Sequence, residues 1–300
     1  TPLLPPGALI ASGDVLLVFD HLQLSFRRQG ATGVAAAAPA EMGLRHGVFV
    51  SEGDSSRVAA YLHKPGAEEL ARWDAIRDGQ VQIDTGLVWF DGDMIRRLAA
   101  VAADPTVAAA PLNLYGDLLL PLADSTERAA YLADESDGPA TPPVRAARKT
   151  IWSLLRGTPF AVEQVQPAVF AHFGSSREYW QMVADNPDLA ALCGWESRAA
   201  AWPERAHGTP ARLIAINAAV EGELAPGRAP LLVSDCCLAG TLAWDGTALL
   251  SGVDTRQPLA LRAGIALDQL SVGAGNTVTR CFGLNDDPKR GADDPRATFC

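Results

Sequence analysis

Two acids and a lysine interrupt apolar runs that would otherwise read as plain core strands: Asp14 in Ser12-Gly13-Asp14, Lys64 in Leu62-His63-Lys64-Pro65, and Asp84 in Gln82-Ile83-Asp84-Thr85-Gly86-Leu87. A carboxylate in an apolar interior is almost never left unpaired. Asp84 therefore either receives hydrogen bonds from neighbouring backbone or faces a ligand, and Gly86 lets something approach the backbone closely. The same residues also fit a strand start that caps the preceding turn. Asp14 directly follows a glycine at a strand end, where ligands gather in open α/β sheets, and is placed to hold a cation or a sugar hydroxyl. Asp20 reads instead as the cap of the next segment. Lys64 has little freedom between a strand and a rigid proline, which suits a group that meets a phosphate, although a solvated strand-end lysine fits the same pattern.

Polar residues break two further apolar stretches, Leu112-Asn113-Leu114-Tyr115-Gly116-Asp117-Leu118 and Phe170-Ala171-His172-Phe173-Gly174-Ser175. The five cysteines, Cys193, Cys236, Cys237, Cys281 and Cys300, are odd in number and lack C-x-x-C spacing, so neither a disulfide framework nor a zinc site is indicated. Adjacent Cys236 and Cys237 should face opposite ways on a strand, one as a small buried hydrophobe and the other as an outward thiol.

The elements that must position these groups alternate strand and helix over roughly the first two thirds of the chain. Residues Ala8 to Phe19 read as buried strand broken at Ser12-Gly13-Asp14. Gly47-Val50 and Val58-Leu62 read as a hairpin around a polar turn. Glu68 to Asp78 has the spacing of an amphipathic helix through Leu70, Trp73 and Ile76, and Asp93 to Ala103 that of a second through Met94, Leu98 and Val101. Ser136 to Pro143 reads as a surface loop. Thr150-Leu155 and Phe160-Val165 are short apolar elements, and a helix is expected from Ser176 through Val183. From about Ala211 the texture changes to short apolar runs separated by glycine and small polar residues. Helical periodicity is absent there, and short strands at near-regular spacing point to an irregular parallel β-helix, with a β-sandwich as the plainer alternative. The expected domains are therefore an α/β domain over residues 1–208 and a β-helix-like domain over 209–300.

A chain of 300 residues has room for two domains. The net charge of -10 argues against a broad nucleic-acid or anionic-membrane surface, while a local Lys or Arg cluster could still hold a small anionic metabolite. No run approaches a membrane span and no signal pattern follows Thr1-Pro2, so a cytoplasmic protein with no membrane or nucleic-acid partner is expected. The start without methionine and the stop at Ala297-Thr298-Phe299-Cys300 read as a segment of a longer polypeptide.

In their order along the chain, the motifs resemble the GDP-L-fucose pyrophosphorylase family, including the pyrophosphorylase part of bifunctional fucokinase/fucose-1-phosphate guanylyltransferases. Ser12-Gly13-Asp14-Val15, His46-Gly47-Val48-Phe49, Leu62-His63-Lys64-Pro65 and Asp84-Thr85-Gly86 are similar to its SGDV, HGVF, LHKP and DTG segments. Leu114-Tyr115-Gly116-Asp117 with Pro121-Leu122, His172-Phe173-Gly174-Ser175 with Glu178-Tyr179, and Gly283 to Lys289 with Asn285-Asp286-Asp287-Pro288-Lys289 look like three later ones. The resemblance implies a nucleotidyltransferase-like mixed sheet with flanking helices, truncated at its N-terminal side, followed by the β-helix. It implies substrates GTP and L-fucose 1-phosphate, with Mg²⁺ as cofactor. Asp14 would hold the metal, Lys64 would meet the sugar phosphate, Asp84, Thr85 and Gly86 would form the sugar-binding strand, and Asn113 and Asp117 would lie on the sugar side. Tyr115 fits either that side or a packed aromatic. His172 either hydrogen-bonds the sugar phosphate or is structural, and it stands where the wider superfamily often has an acid.

The Gly-rich, Arg- and Lys-containing triphosphate loop of that superfamily has no counterpart near Thr1. Fusion to an N-terminal nucleotide-binding segment and to a C-terminal GHMP-type kinase domain is the expectation that follows. The competing readings are a non-catalytic sugar-nucleotide-binding or assembly module with a β-helix docking surface, and a hexapeptide-type acyltransferase resting only on β-helix texture.

Overall fold

The structure, a computed structural model, describes residues 4–53, 55–136, 138–194, 213–225, 227–273 and 275–286. The chain divides into two compact units, Thr1–Ala171 and His172–Cys300. The boundary expected at 208/209 lies outside the described residues, as does the Asp287-Pro288-Lys289 segment.

The first unit is built on strands β1 (Gly7–Ala11), β2 (Val15–Phe19), β3 (Ala31–Pro39), β4 (Gly47–Ser51), β5 (Val58–His63), β6 (Gln80–Asp91), β7 (Phe160–Val165) and β8 (Ala168–His172). Six of them form one mixed sheet in the order β5-β4-β6-β3-β7, with β1 also on β6, and β2 pairs with β8 separately. β4 and β5 are the antiparallel hairpin expected from the sequence, with Gly47 opposite His63. The sheet curls until its edge strands meet, through a bridge between Arg57 and Ala161 and a Val162 N–H bond to the Ser56 carbonyl (2.7 Å).

β6 is the organising strand because its twelve residues exceed the length of any one partner. On one side it runs along β3; on the other it pairs first with β4, at Val48–Ile83, and then with β1, from Ala11–Leu87 to Gly7–Asp91. The handover falls at Asp84-Thr85-Gly86. On the β3 side the register also slips there, since Gly33 faces Val88 while Ala35 faces Asp84, so β6 bulges outward over the same residues.

β3 is rich in alanine, a helix-favouring residue, and becomes a strand because both of its faces are covered. Val34, Ala36 and Ala38 pack with Val48, Leu62, Leu70 and Ile83 on one face. Ala31 and Ala35 pack with Val88, Phe90, Met94, Ile151 and Leu155 on the other. Small side chains let the two layers approach closely.

The helices are α1 (Ala40–Gly43), α2 (Ala67–Arg72), α3 (Gly92–Ala102), α4 (Pro105–Ala108), α5 (Arg128–Ala133) and α6 (Pro142–Leu155), with a π-helical turn over Leu114–Leu119. Asp91 caps α3 by accepting from the Met94 N–H (2.7 Å). Met94, Ile151 and Leu155 from α3 and α6 have no exposed surface, and each contributes about 1.5–3 kcal/mol by burial. Two expectations need correction. The helix expected to reach Asp78 stops at Arg72, because Asp74 takes a positive φ of 47° and the chain turns back into β6. β1 is exposed along its whole length rather than buried, since it pairs with β6 alone.

The second unit carries α7 (Ser176–Ala184), α8 (Pro187–Cys193) and a β-solenoid of about three turns. Its longest face stacks β9 (Leu213–Ile216), β12 (Leu231–Ser234), β15 (Ala248–Ser251) and β18 (Ile265–Ser271) in parallel, closed by antiparallel β19 (Thr277–Gly283). The other faces stack β10 (Ala219–Val220), β13 (Cys237–Leu238) and β16 (Asp254–Thr255), and β11 (Leu224–Ala225), β14 (Leu242–Trp244) and β17 (Leu259–Leu261). Leu213, Leu231, Ala248 and Ile265 lie in one column, so each turn takes 17 or 18 residues. Alternate residues Leu213 and Ala215 point into the coil, while Ile214, Leu232 and Leu249 pack outward against Trp180 of α7. The parallel β-helix expected from the strand texture is thus present, and Cys236 is buried while Cys237 is exposed, as their alternation requires. Among the described residues no helix is long and apolar enough to cross a membrane.

Candidate functional site

The bulge in β6 gathers the polar groups of the first unit. Asp84 is 5 % exposed, and both of its oxygens are engaged: the Gly86 N–H donates to Oδ1 (2.8 Å) and the Tyr61 hydroxyl donates to Oδ2 (2.7 Å). Burial pushes its carboxyl up to about 6, against the opposing pull of the Tyr61 hydroxyl, the Gly86 N–H and the nearby His63. Gly86 makes the turn possible. Its φ is +75°, and a Cβ there would sit 2.7 Å from that of Ser12. Gly47, on the neighbouring strand, leaves the space that a Cβ would take 2.4 Å from the Tyr61 hydroxyl oxygen.

From the bulge the contacts run outward. The Ser12 N–H donates to the Gly86 carbonyl (2.9 Å), which fixes the end of β1, and the Ser12 hydroxyl donates to Asp14 Oδ1 (2.9 Å). The Tyr115 hydroxyl lies 3.4 Å from Ser12 Oγ, and its ring stacks on that of His63 with centroids 5.8 Å apart. Lys64 follows immediately, exposed, with a φ of 48°, and its backbone N–H donates to the His46 carbonyl (3.3 Å). Asp14 and Asp84 differ in environment: Asp14 is half-buried at a strand end, whereas Asp84 is almost closed off.

The structure therefore brings Asp14, Asp84 and Gly86 into one network of contacts, with Lys64 at the end of its tyrosine–histidine arm. Four expected ligand residues are placed otherwise. Thr85 has no exposed surface, and its hydroxyl donates to the Val34 carbonyl (2.7 Å), stitching the bulge to β3. Asp117 is 1 % exposed rather than facing a ligand: Oδ1 accepts from Arg148 Nε (2.7 Å) and Oδ2 from the Asn113 N–H (2.7 Å). Asn113 caps the π-helical turn by accepting from the Gly116 N–H (2.7 Å). These two residues build the turn that presents Tyr115. His172 is the last residue of β8 and the first of the second unit; its Nδ1 is 3.9 Å from Glu178 Oε2, and Glu178 forms a capping box with Ser175 at the start of α7.

Ser12 and Tyr61 were not singled out by sequence reasoning, and His63 was not among its site residues. Tyr61 and His63 stand two residues apart on β5 and so share a face, the one signal that links them in the sequence. Among the described residues no group of three or more His, Cys, Asp or Glu side chains converges on a metal-sized space. Asp14 offers a single accessible carboxylate, which fits Mg²⁺ in the way that ion is often held, by one or two carboxylates together with substrate phosphates.

A family model described as the fucose pyrophosphorylase domain matches residues 2–300. The fucose-1-phosphate guanylyltransferase of Mus musculus is 25 % identical over 245 residues, covering 68 % of this chain and 41 % of the mouse protein. The bifunctional fucokinase/GDP-fucose pyrophosphorylase of Arabidopsis thaliana is 26 % identical over 188 residues, covering 57 % of this chain and 17 % of the plant protein. The chain thus spans less than half the length of either relative.

Proposed function

The chain belongs to the fucose pyrophosphorylase family, and from that premise we propose that it carries the sugar-phosphate side of a nucleotidyltransferase making GDP-L-fucose from GTP and L-fucose 1-phosphate. An oxygen of the sugar phosphate attacks the α-phosphorus of GTP, and pyrophosphate leaves. No protein nucleophile is required, so the work is positioning and neutralisation of charge. The observation that carries the reading is the contact network through Ser12, Asp14, Gly86 and Asp84, built from motif residues of a chain that the family model matches from end to end.

Within this reading the first unit is a nucleotidyltransferase-like sheet domain. Asp14 and Lys64 face the reactants, Asp14 as the Mg²⁺ carboxylate and Lys64 as the cation for the sugar phosphate. Mg²⁺, when bound, supplies positive charge to the transferring phosphate. Ser12 orients Asp14 through its hydroxyl. Asp84 acts one layer back, holding the Tyr61 hydroxyl and the Gly86 turn so that β1 and β5 end side by side. The sugar hydroxyls would meet Tyr115 and the rim of the bulge.

The test offers the full-length protein that carries this chain GTP, ATP or UTP with Mg²⁺ and either fucose 1-phosphate or glucose 1-phosphate, and follows pyrophosphate release. Turnover should be greatest with GTP and fucose 1-phosphate, and none with that pair rejects the assignment. Asp14→Asn should abolish turnover with an unchanged unfolding midpoint. Retained activity would remove Asp14 from the metal role.

A further inference from the structure

A second place in the first unit has the makings of a binding site, at the opposite end of β5 from His63. Arg27, Arg28, Ser55, Arg57, Arg156 and Thr158 line a cleft of about 670 Å³, within the range of small-ligand pockets. Six residues of extended chain separate Arg57 from His63, roughly 20 Å. The cleft is therefore distinct from the network around Asp84.

Its charge is uncompensated. Arg57 is paired with Asp124, its Nη2 2.6 Å from Oδ1, and those two cancel. Arg156 is fixed by three carbonyls, those of Pro121, Ala123 and Asp124, which hold its guanidinium without neutralising it. Arg27 and Arg28 make no ion pair or side-chain hydrogen bond among the described residues, and both are exposed.

The segment carrying them is nevertheless firmly held. Before the arginines, Glu163 accepts from the Ser25 N–H (2.8 Å), the Ser25 hydroxyl (2.7 Å) and the Phe26 N–H (3.3 Å), and buried Phe26 stacks on Trp89. After them, the Gly30 N–H donates to Asp91 Oδ2 (2.8 Å) while the Gly30 carbonyl accepts from the Asp91 N–H (3.0 Å). A loop anchored at both ends holds the backbone of the two cations in place, so their side chains are what remains to be ordered on binding. An independent sign comes from Thr158. It lines the cleft, is 5 % exposed, and its Oγ1 has no hydrogen-bond partner among the described residues. A buried hydroxyl in that condition is costly unless a ligand or water satisfies it.

We propose that this cleft binds a phosphate-bearing small molecule, with Arg27 and Arg28 on the phosphate and the Thr158 hydroxyl, closed off beneath the cleft wall, rotating outward to donate to it. Guanidinium forks match phosphate oxygens in geometry and charge. The net charge of -10 for the whole chain favours a small anion over a nucleic-acid strand, which would meet repulsion beyond the cleft.

The experiment is titration of the isotopically labelled chain with inorganic pyrophosphate, followed at the backbone amides of Gly157 and Thr158. Saturable shifts are expected in the wild type. Arg27→Gln/Arg28→Gln should weaken them about tenfold or more, the scale of losing charge-assisted hydrogen bonds. Thr158→Val, nearly equal in volume, should weaken them by a smaller factor. Lys64→Gln should leave them in place. Absence of shifts at millimolar pyrophosphate, or an unchanged titration in the double arginine variant, overturns the proposal. Equal loss in Lys64→Gln overturns it too, because the ion would then be reporting the transfer site. Failure of turnover in the nucleotide assay would leave these amide shifts unaltered, so the two readings fail separately.

Discussion

Replacing Asp84 by Asn should leave stability nearly unchanged at low pH and raise it at high pH. The folded-state carboxyl is raised from an ordinary 3.8 to about 6, equivalent to about 3 kcal/mol in favour of the neutral acid. Because the folded value is the higher one, this stabilisation is fully present below 3.8 and is lost as pH rises through about 6. Asparagine carries no charge to desolvate, so the variant escapes the loss. Its one carbonyl oxygen and one donor group match those of the protonated Asp84 carboxyl, so at low pH the two side chains offer the Gly86 N–H and the Tyr61 hydroxyl the same partners. Asp84→Asn should then be close to wild type in stability near pH 3 and more stable by about 3 kcal/mol near pH 8. Urea unfolding of both proteins at the two pH values measures this difference, and the other titrating groups cancel in it. A difference that stays constant with pH, or moves the other way, would refute the account of Asp84 as a buried acid held against its desolvation.

Two further perturbations test the scaffold. Arg148→Met strands Asp117 as an unpaired charge in a site where both side chains are at most 3 % exposed, and should cost about 3–5 kcal/mol in denaturant unfolding. Substituting Asp117→Leu as well should restore most of it, and a loss under about 1 kcal/mol in the single variant would show the pair to be dispensable. Gly86→Ala forces a left-handed φ on a side chain and drives its Cβ against Ser12; it should lower stability by about 1–2 kcal/mol in thermal unfolding. Wild-type stability in Gly86→Ala would mean that the turn does not depend on glycine.

What could be read in the sequence was local, and what could not depended on distant partners. The β4–β5 hairpin and the solenoid carry their evidence in contiguous apolar runs, turn residues and spacing, and both formed as expected. The importance of Asp84 was also legible, because an acid in an apolar strand demands partners wherever the strand lies. Its partner Tyr61 was not, being on another strand 23 residues earlier. Asp117 looked like Asp84, a polar interruption of an apolar run, but Arg148 lies 31 residues further on and converts it into a buried ion pair. The alanines of β3 favour helix by propensity alone, and only coverage of both faces makes them a strand. β1 misled in the reverse sense, since an apolar run at a sheet edge reads like one at its centre.

The two acids picked out at the start divide the labour according to burial. A carboxylate that is to meet a cation and phosphates must be reachable and ionised near neutral pH, and half-buried Asp14 at the end of β1 meets the first condition. A carboxylate that is to hold a turn and a tyrosine must have both oxygens taken, and Asp84 does. The second arrangement supports the first: the Gly86 turn held by Asp84 offers the carbonyl that fixes the Ser12 N–H, and the Ser12 hydroxyl in turn orients Asp14. The stability given up by keeping Asp84 ionised in the folded state is thus tied to the placement of a different carboxylate. A variant that removes the charge at Asp84 should gain stability near pH 8 while loosening Asp14, so stability and turnover should move in opposite directions. An Asp84→Asn protein that gained stability at full turnover would show that Asp14 keeps its place without Asp84.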